Sequence, residues 1–229
     1  MLTIVCSQTK DVEYLLTKVN YEEESFQNFK IYKCNYKNND FIILVTGYGK
    51  VNIAVALEKL NNCVDISNII HVGTASSINC KLKIFDILFV DKVCDYDIDF
   101  TKMGLSLGKL PNEEKNIFSS DYNLKKYFNS AIESLDKKYT DVFIASGETF
   151  ITNYNFVNYI KKNFYTDALD IETSTIGRYA SIYNIPFIAV KVVSNYANEN
   201  ACKDYNLYST EAKRICELII YNFIKEYFF

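Results

Sequence analysis

The residues best suited to chemistry lie in one stretch, residues 169–198, which reads as a strand, a helix and a second strand. Two acidic side chains, Asp170 and Glu172, end the first predicted strand, while Ser194 and Asn195 end the second. If the two strands are parallel neighbours in one sheet, their polar ends emerge at the same edge. Open α/β sheets bind small molecules at that edge. The sequence therefore predicts a small-molecule site with carboxylates on one side and an amide on the other.

Polar or glycine-bearing segments also follow the other predicted strands, which alternate with helices as in an α/β protein. Asp11 follows the first strand in QTKD, and later strands are followed by TGYGKV (46–51), GTASS (73–77) and SGETFI (146–151). The glycines of TGYGKV could let backbone amides face a ligand at a helix N-terminus, or they could form a plain tight turn. Asp11 could likewise be only a first-turn helix acid.

Composition excludes several functional classes. The chain has 229 residues and no linker-like segment, so we expect one domain spanning residues 1–229, and 49% hydrophobic residues can build a large core. A net charge of −3 argues against nucleic-acid binding. The only arginines, Arg178 and Arg214, lie outside the polar segments that follow the predicted strands, although arginine is the usual bidentate ligand for phosphate.

Cysteine and histidine usage indicates neither a metal site nor a disulfide framework. The seven cysteines are dispersed, without a C-x-x-C pair, and we expect reduced, buried thiols in a cytoplasmic protein. The only histidine, His71, lies within a predicted strand and is interpreted as a core or interface residue. The chain begins without a basic segment and contains no long apolar run, so we expect no signal peptide, no membrane span and no cofactor.

The segment 94–112 is loop-like and carries apolar residues that a monomer would leave in water. Phe100, Met103 and Leu107 are the clearest of these. Exposed apolar groups of this kind often mark a partner surface.

The ordered set of motifs resembles the nucleoside phosphorylase/nucleosidase superfamily, and within it the 5′-methylthioadenosine/S-adenosylhomocysteine nucleosidases. The motifs are TGYGKV, HVGTASS, DYDIDFTKMGLSLGKLP, ASGETFI, DIET and KVVSNYAN, and the match as a whole runs from the first strand to the last helix. The resemblance implies a single-domain, three-layer α/β sandwich around a mixed, partly barrel-like sheet. It also implies a homodimer that hydrolyses a purine nucleoside in methionine salvage.

The resemblance further implies roles for individual residues. Asp11 matches the carboxylate, usually Glu, that activates water; Glu172 matches the carboxylate that holds the ribose hydroxyls; and Asn195 stands where the family has a catalytic Asp. The implied substrate-binding residues are Tyr48, Thr74, Ala75, Ser76, Phe150, Ile151, Ile171, Ser194 and Tyr205, together with Phe100, Met103 and Pro111 in the 96–111 loop that closes the neighbouring subunit's site.

These residue types suit cleavage of an N-glycosidic bond, which builds positive charge on the ribose and negative charge on the leaving purine. With no arginine nearby and with Asp11 repelling phosphate, water is the expected nucleophile. Asn195 can hydrogen-bond a purine but cannot donate a proton to N7 as an acid would. Three interpretations therefore stay open: an impaired adenine nucleosidase, a nucleosidase or phosphorylase for 6-oxopurines of the inosine or futalosine type, and a nucleoside-binding protein without catalysis.

Overall fold

Ten strands form one mixed sheet in the computed structural model, which describes residues 1–229. The strands are β1 (Leu2–Cys6), β2 (Asn20–Ser25), β3 (Lys30–Tyr36), β4 (Asn39–Val45), β5 (Asn68–Ser77), β6 (Ile87–Asp95), β7 (Ile117–Ser119), β8 (Tyr139–Ser146), β9 (Ala168–Asp170) and β10 (Phe187–Tyr196). The helices are α1 (Glu13–Leu16), α2 (Lys50–Asn61), α3 (Tyr122–Ser134), α4 (Tyr154–Phe164), α5 (Thr173–Tyr183) and α6 (Ala201–Tyr227).

Part of the sheet closes on itself. The strand order is β10–β6–β8–β9–β5–β1–β4–β3–β2, with β7 paired to β6, and a further pairing joins β10 to β5. Strands β10, β6, β8, β9 and β5 therefore form a closed barrel, and β1, β4, β3 and β2 continue from it as an open arm. This arrangement confirms the prediction of an α/β fold around a mixed, partly barrel-like sheet.

Helices cover both faces of the sheet because each face presents apolar side chains. On one face α6 packs on β10 and β5 and contacts α3 and α1, while on the other α5 packs on β6, β7 and β8 and contacts α2. The layers enclose separate buried clusters of 28 and 25 residues, as a three-layer sandwich requires. Helices α3 and α4 begin where Asp121 and Asn153 cap them with side-chain oxygens.

Several element boundaries differ from those predicted. Residues 73–77 belong to β5 rather than to a loop after it, so their side chains alternate along a strand. The amphipathic pattern of the sequence predicts the last helix from Tyr208 to Tyr227, whereas α6 begins at Ala201. Strands β2 and β7 were not predicted; β2 is an exposed edge strand whose glutamates pair with lysines of β3.

Cysteine burial also differs in part from the prediction. All seven cysteines are unpaired, and four are buried, but Cys63, Cys80 and Cys202 are exposed. His71 is buried, as expected for a core histidine. None of the helices is both long and apolar enough to cross a bilayer.

Candidate active site

A cavity of about 450 Å³ opens beside the end of the barrel. Most of the residues singled out from the sequence line it: Asp11, Tyr48, Thr74, Ala75, Ser76, Phe150, Ile171, Glu172, Ser194, Asn195 and Tyr205. Side chains from β5, β10, the segment after β1 and the start of α6 thus converge on one space. The size suits a nucleoside-sized ligand.

The predicted reason for this convergence was wrong. Strands β9 and β10 are not parallel neighbours: β5 lies between them, parallel to β10 and antiparallel to β9. The pairing of Ser76 with Leu169 places the residues after β9 level with the middle of β5. Asp170 and Glu172 therefore reach the cavity through barrel closure rather than through a shared parallel edge.

Glu172 is a buried carboxyl group with one oxygen left for a ligand. It lies at the start of α5 and is 6% exposed. Ser7 Oγ donates a hydrogen bond to Oε2, whereas Oε1 has no hydrogen-bond partner. Burial raises the pKa of Glu172 to about 7, against the lowering effect of the Lys191 ammonium and the Ser7 hydrogen bond. A buried, unpartnered carboxylate oxygen beside a cavity is suited to accept hydrogen bonds from ligand hydroxyls.

Asp11 offers a second such oxygen. Its Oδ2 accepts a hydrogen bond of 2.8 Å from the backbone N–H of Gln8, which fixes the carboxylate in the short turn after β1. Its Oδ1 lies 2.9 Å from Lys213 Nζ, yet the two groups are not aligned as a hydrogen bond. The contact is therefore an ion pair, and Oδ1 keeps a lone pair for a ligand or a water molecule.

Asn195 is held by hydroxyl groups on both sides. Its Nδ2 donates to Ser76 Oγ at 2.8 Å and to the Tyr196 carbonyl at 3.3 Å, while Oδ1 accepts from Ser194 Oγ at 3.0 Å. A bulge between Val193 and Asn195 shifts the register of β10 against β5. Bulges commonly redirect side chains next to active sites, and here two consecutive residues, Ser194 and Asn195, both line the cavity.

Three aromatic residues form the rim of the cavity. Phe150 meets Tyr205 edge to face, with ring centroids 5.8 Å apart, and the hydroxyls of Tyr48 and Tyr205 are 3.5 Å apart. Tyr48 and Phe150 remain partly exposed, at 46% and 42%. Aromatic faces at the mouth of a cavity can stack on a purine.

Four predicted binding residues do not line this cavity. Ile151 is buried in a separate apolar cluster with α4 side chains, so its side chain faces the core. Phe100, Met103 and Pro111 lie in the long segment after β6, away from the cavity of their own chain.

The glycine segment leads into α2, whose N-terminus is bound by a side chain of the chain itself. The backbone N–H of Lys50, in the first turn of α2, donates to Glu148 Oε1 at 2.6 Å. The Lys50 ammonium contacts Asp95 and Asp97. A carboxylate of the chain itself therefore occupies this helix N-terminus, and only Tyr48 of the segment reaches the cavity.

Two lysines in the cavity wall, Lys191 and Lys213, went unpredicted. Lys191 interrupts the apolar run of β10, and such a charge inside a central strand is the signal that could have revealed it. Its Nζ lies 2.9 Å from Asp170 Oδ2 and 2.6 Å from His71 Nε2.

The contacts of His71 fix its tautomer. Nδ1 lies 3.0 Å from the Val5 carbonyl oxygen and must carry the proton, so Nε2 accepts from Lys191. Burial, followed by the nearby Lys191 ammonium, lowers the pKa of His71 to about 3. The imidazole therefore stays neutral and holds the lysine in place.

Replacing Lys191 with Met is expected to destabilise the protein by about 3–5 kcal/mol, because it leaves the Asp170 carboxylate buried without its counter-charge. Urea unfolding measures this difference. The matched control is Lys92→Met on neighbouring β6, where the side chain is 52% exposed and the expected change is within about 0.5 kcal/mol. Equal stability of the two variants would contradict the role of the buried pair.

Comparison with known proteins places this geometry in a family. Residues 2–223 match the sequence model of the phosphorylase superfamily. The chain belongs to this superfamily. Membership of the phosphorylase superfamily confirms the resemblance drawn from the motifs.

Individual members of the phosphorylase superfamily align over nearly the whole chain. The chain is 30% identical over 209 residues to the 5′-methylthioadenosine/S-adenosylhomocysteine nucleosidase of Buchnera aphidicola subsp. Acyrthosiphon pisum (strain APS), covering 89% of this chain and 90% of the relative. The fold of this chain is similar to that of the 5′-methylthioadenosine/S-adenosylhomocysteine nucleosidase from Neisseria meningitidis, solved in complex with methylthio-immucillin-A. The TM-score is 0.92, the sequence identity is 23%, and 98% of both chains is covered. The fold is also similar to that of futalosine hydrolase of Helicobacter pylori strain 26695, with a TM-score of 0.92, 18% identity and coverage of 98% and 97%.

Proposed function

We propose that this chain is an N-glycosyl hydrolase that releases adenine from 5′-methylthioadenosine or S-adenosylhomocysteine. One observation carries the proposal: two buried carboxylate oxygens without hydrogen-bond partners, Glu172 Oε1 and Asp11 Oδ1, belong to residues that line the same cavity. The relative from Buchnera aphidicola is named for this substrate pair. A substrate with ribose hydroxyls and an attacking water molecule would supply the missing donors.

The charges in the cavity wall favour a positive sugar. Three carboxylates, those of Asp11, Asp170 and Glu172, line the cavity together with two lysines and no arginine. Glu172 accepts hydrogen bonds from the ribose hydroxyls and stabilises the charge that develops on the sugar as the glycosidic bond breaks. Asp11 orients the water molecule that attacks the anomeric carbon and accepts its proton.

The same charges disfavour phosphate as the nucleophile. Both lysines in the wall are already paired with carboxylates: Lys191 with Asp170, and Lys213 with Asp11. Arg178 is bound to Asp95 and Glu113, and the N-terminus of α2 is occupied by Glu148. A phosphate anion would therefore meet excess negative charge and no free bidentate ligand, which supports hydrolysis.

The amide of Asn195 favours adenine over a 6-oxopurine. Both amide hydrogens are engaged by acceptors within the protein, the Ser76 hydroxyl and the Tyr196 carbonyl. Oδ1 accepts from Ser194 Oγ and has a second lone pair for a base, which can accept a hydrogen bond from a 6-amino group but cannot donate one to a 6-oxo group. Asn195 therefore recognises adenine without protonating it, and the reaction lacks its general acid.

A product assay on four nucleosides tests the proposal. Methylthioadenosine, S-adenosylhomocysteine, inosine and futalosine are incubated with the protein, with and without phosphate, and the released bases are separated by chromatography. Adenine from the first two, without phosphate stimulation, is the expected result. Release of hypoxanthine from inosine or futalosine would instead identify a nucleosidase or phosphorylase for 6-oxopurines. Tight binding of methylthioadenosine without turnover by the protein or by its Asn195→Asp variant would make the protein a nucleoside binder.

We also propose that the active form is a homodimer in the cytoplasm. Met103 is 69% exposed in the long segment after β6, and Phe100 and Pro111 of that segment could complete the cavity of the partner subunit. The unpaired cysteines favour a reducing compartment. Adenine and the thio-sugar released there would be returned by methionine salvage.

Replacing Met103 with Glu is expected to weaken the dimer at least about tenfold, because burying an unpaired carboxylate at an interface costs more than about 1.4 kcal/mol. Sedimentation over a concentration series measures this change, and KM should rise with it as the neighbouring site opens. The control is Tyr122→Glu, a similarly exposed residue at the start of α3. Unchanged association of the Met103 variant would contradict the assigned surface.

A further inference from the structure

Helix α6 carries a charged residue on its buried face that none of the proposed steps uses. Lys213 lies between the buried Ala212 and Cys216, and its side chain is only 11% exposed. Lysine is rarely buried to this extent unless it is paired. Lys213 also lines the cavity, so its place on α6 serves more than the packing of the helix.

The ammonium of Lys213 reaches two groups in the turn after β1. Nζ donates to Gln8 Oε1 at 2.8 Å and lies 2.9 Å from Asp11 Oδ1. Gln8 in turn donates its backbone N–H to Asp11 Oδ2 at 2.8 Å. Lys213, Gln8 and Asp11 thus form a closed set of contacts in which both carboxylate oxygens of Asp11 are fixed from the protein side.

A positive charge beside Asp11 offsets the repulsion between the two carboxylates of this cavity. Asp11 and Glu172 line the same cavity, and the charge of Asp11 contributes to raising the pKa of Glu172. Two carboxylates that share a buried site resist being ionised together. Burial would lower the pKa of Lys213, but its ion pair with Asp11 outweighs this effect and raises it, so the lysine stays charged.

We propose that Lys213 is a positioning residue that holds Oδ1 of the Asp11 carboxylate towards the sugar side of the cavity. The inference rests on the proposed hydrolysis, in which Asp11 accepts the proton of the attacking water. An aspartate is one methylene shorter than a glutamate, and a misplaced catalytic group loses rate steeply. Contacts from α6 on one side and from Gln8 on the other fix this short side chain.

The alternative is a purely structural connection between α6 and the N-terminal turn. Glu217, on the same buried face of α6, already makes such a connection, because its Oε1 accepts a hydrogen bond of 2.5 Å from the backbone N–H of Tyr14. A structural role for Lys213 would affect stability and leave the dependence on Asp11 unchanged. The two roles therefore predict different results in a double-mutant cycle.

The test compares Lys213→Met, Lys213→Arg, Asp11→Asn and the double variant Asp11→Asn/Lys213→Met with the wild-type chain. For Lys213→Met, kcat for adenine release from methylthioadenosine is expected to fall about 10–100-fold, with KM changed less than about threefold. The reason is that the Asp11 carboxylate, which acts on the water molecule, is no longer held in place. Lys213→Arg keeps the charge and is expected to restore most of the rate. In the Asp11→Asn background, Lys213→Met should have almost no further effect.

Three results would overturn the inference: equal losses for the Met and Arg variants, independent losses from Asp11→Asn and Lys213→Met, or a full rate for Lys213→Met. Thermal unfolding identifies losses that come from stability alone, and Lys213→Gln replaces the Met variant if that variant does not fold. Calorimetric titration of the same proteins with methylthioadenosine separates this inference from the proposed function. If Asp11 and Lys213 are coupled in the affinity for methylthioadenosine but no adenine is released, the proposed hydrolysis is wrong and the positioning role stands. If adenine is released but the two residues are not coupled, the hydrolysis stands and the positioning role is wrong.

Discussion

Replacing Asn195 with Asp is expected to raise kcat for adenine release from methylthioadenosine by about 10²–10⁴-fold, the usual contribution of a general acid. The reason is the position of the side chain, whose Oδ1 and Nδ2 lie 3.0 Å and 2.8 Å from the hydroxyl oxygens of Ser194 and Ser76. Both hydroxyls can donate as well as accept, so a carboxyl group fits the same space. It would supply the proton that the leaving adenine needs at N7.

Single-turnover measurements of adenine release, with enzyme in excess over substrate, report the rate of the chemical step directly. The matched control is Asn200→Asp, which adds the same charge at the exposed start of α6. That variant is expected to keep the wild-type rate. If Asn195→Asp were no faster than the wild-type chain while still binding methylthioadenosine, the missing proton donor would not be what limits this protein.

Replacing Glu172 with Gln is expected to reduce kcat/KM by about 10²–10³-fold, comparable to the loss of one electrostatic contact to a transition state. A neutral amide cannot stabilise the positive charge on the ribose as a carboxylate does. The pKa of about 7 gives the wild-type chain a related pH dependence: kcat/KM should fall as the pH drops below 7, because protonation removes this charge. That decline should be absent from the residual activity of the Glu172→Gln variant.

The same substitution should stabilise the unliganded protein at alkaline pH. The pKa of Glu172 is raised from 4.5 to about 7 in the folded state, so the folded state binds this proton more tightly than the unfolded state does. Its contribution to stability is therefore complete below about pH 4.5, declines as the pH rises, and is lost above about pH 7. At pH 8 the variant with the neutral amide should be more stable by up to about 3 kcal/mol.

Thermal unfolding of Glu172→Gln and the wild-type chain between pH 5 and 8 measures this difference. The control is Glu199→Gln, an exposed glutamate beyond β10, for which no difference in stability is expected. A Glu172→Gln variant that is less stable than the wild-type chain at pH 8 would show that the buried Glu172 carboxylate does not destabilise the fold. A fully active variant would show that its charge is not needed for the reaction. Stability gained where activity is lost is typical of functional residues.

The sequence predicts the elements around the site better than the way they pair. Strands such as β4 and β8, and the capped helices α3 and α4, follow from apolar runs, spacing and capping residues alone. The position of β9 does not, because a strand of three residues contributes little pattern, and its antiparallel partner β5 lies about ninety residues away in the chain. Closure of the barrel depends on such long-range pairings, which no local pattern determines.

Individual site residues show the same limit. Glu172 and Asn195 stand out in the sequence because they follow apolar strands, and both do line the cavity. Lys191 and Lys213 do not stand out, since each is a single charge within an apolar strand or a mixed helix. Their roles depend on the carboxylates that folding brings within 2.9 Å of each ammonium, and those partners, Asp170 and Asp11, are distant along the chain.

The start of α6 was missed for a related reason. Residues 201–207 carry no clear apolar stripe, so their sequence reads as a loop. In the structure they continue the helix because Ala201 is fully buried and Tyr205 packs against Phe150 at the rim of the cavity. Packing at the rim of the cavity, which no local apolar pattern reveals, thus accompanies the first turns of this helix.

Transfer of oxygen from water to the sugar distinguishes hydrolysis from phosphorolysis and from binding without turnover. The Asn195→Asp variant and the wild-type chain are incubated with methylthioadenosine in ¹⁸O-labelled water without phosphate, and the products are analysed by mass spectrometry. We expect adenine and an equal amount of methylthioribose carrying one ¹⁸O atom, formed faster by the variant than by the wild-type chain. Absence of both products from both proteins, or a phosphorylated sugar as the product when phosphate is added, would contradict the proposed hydrolysis.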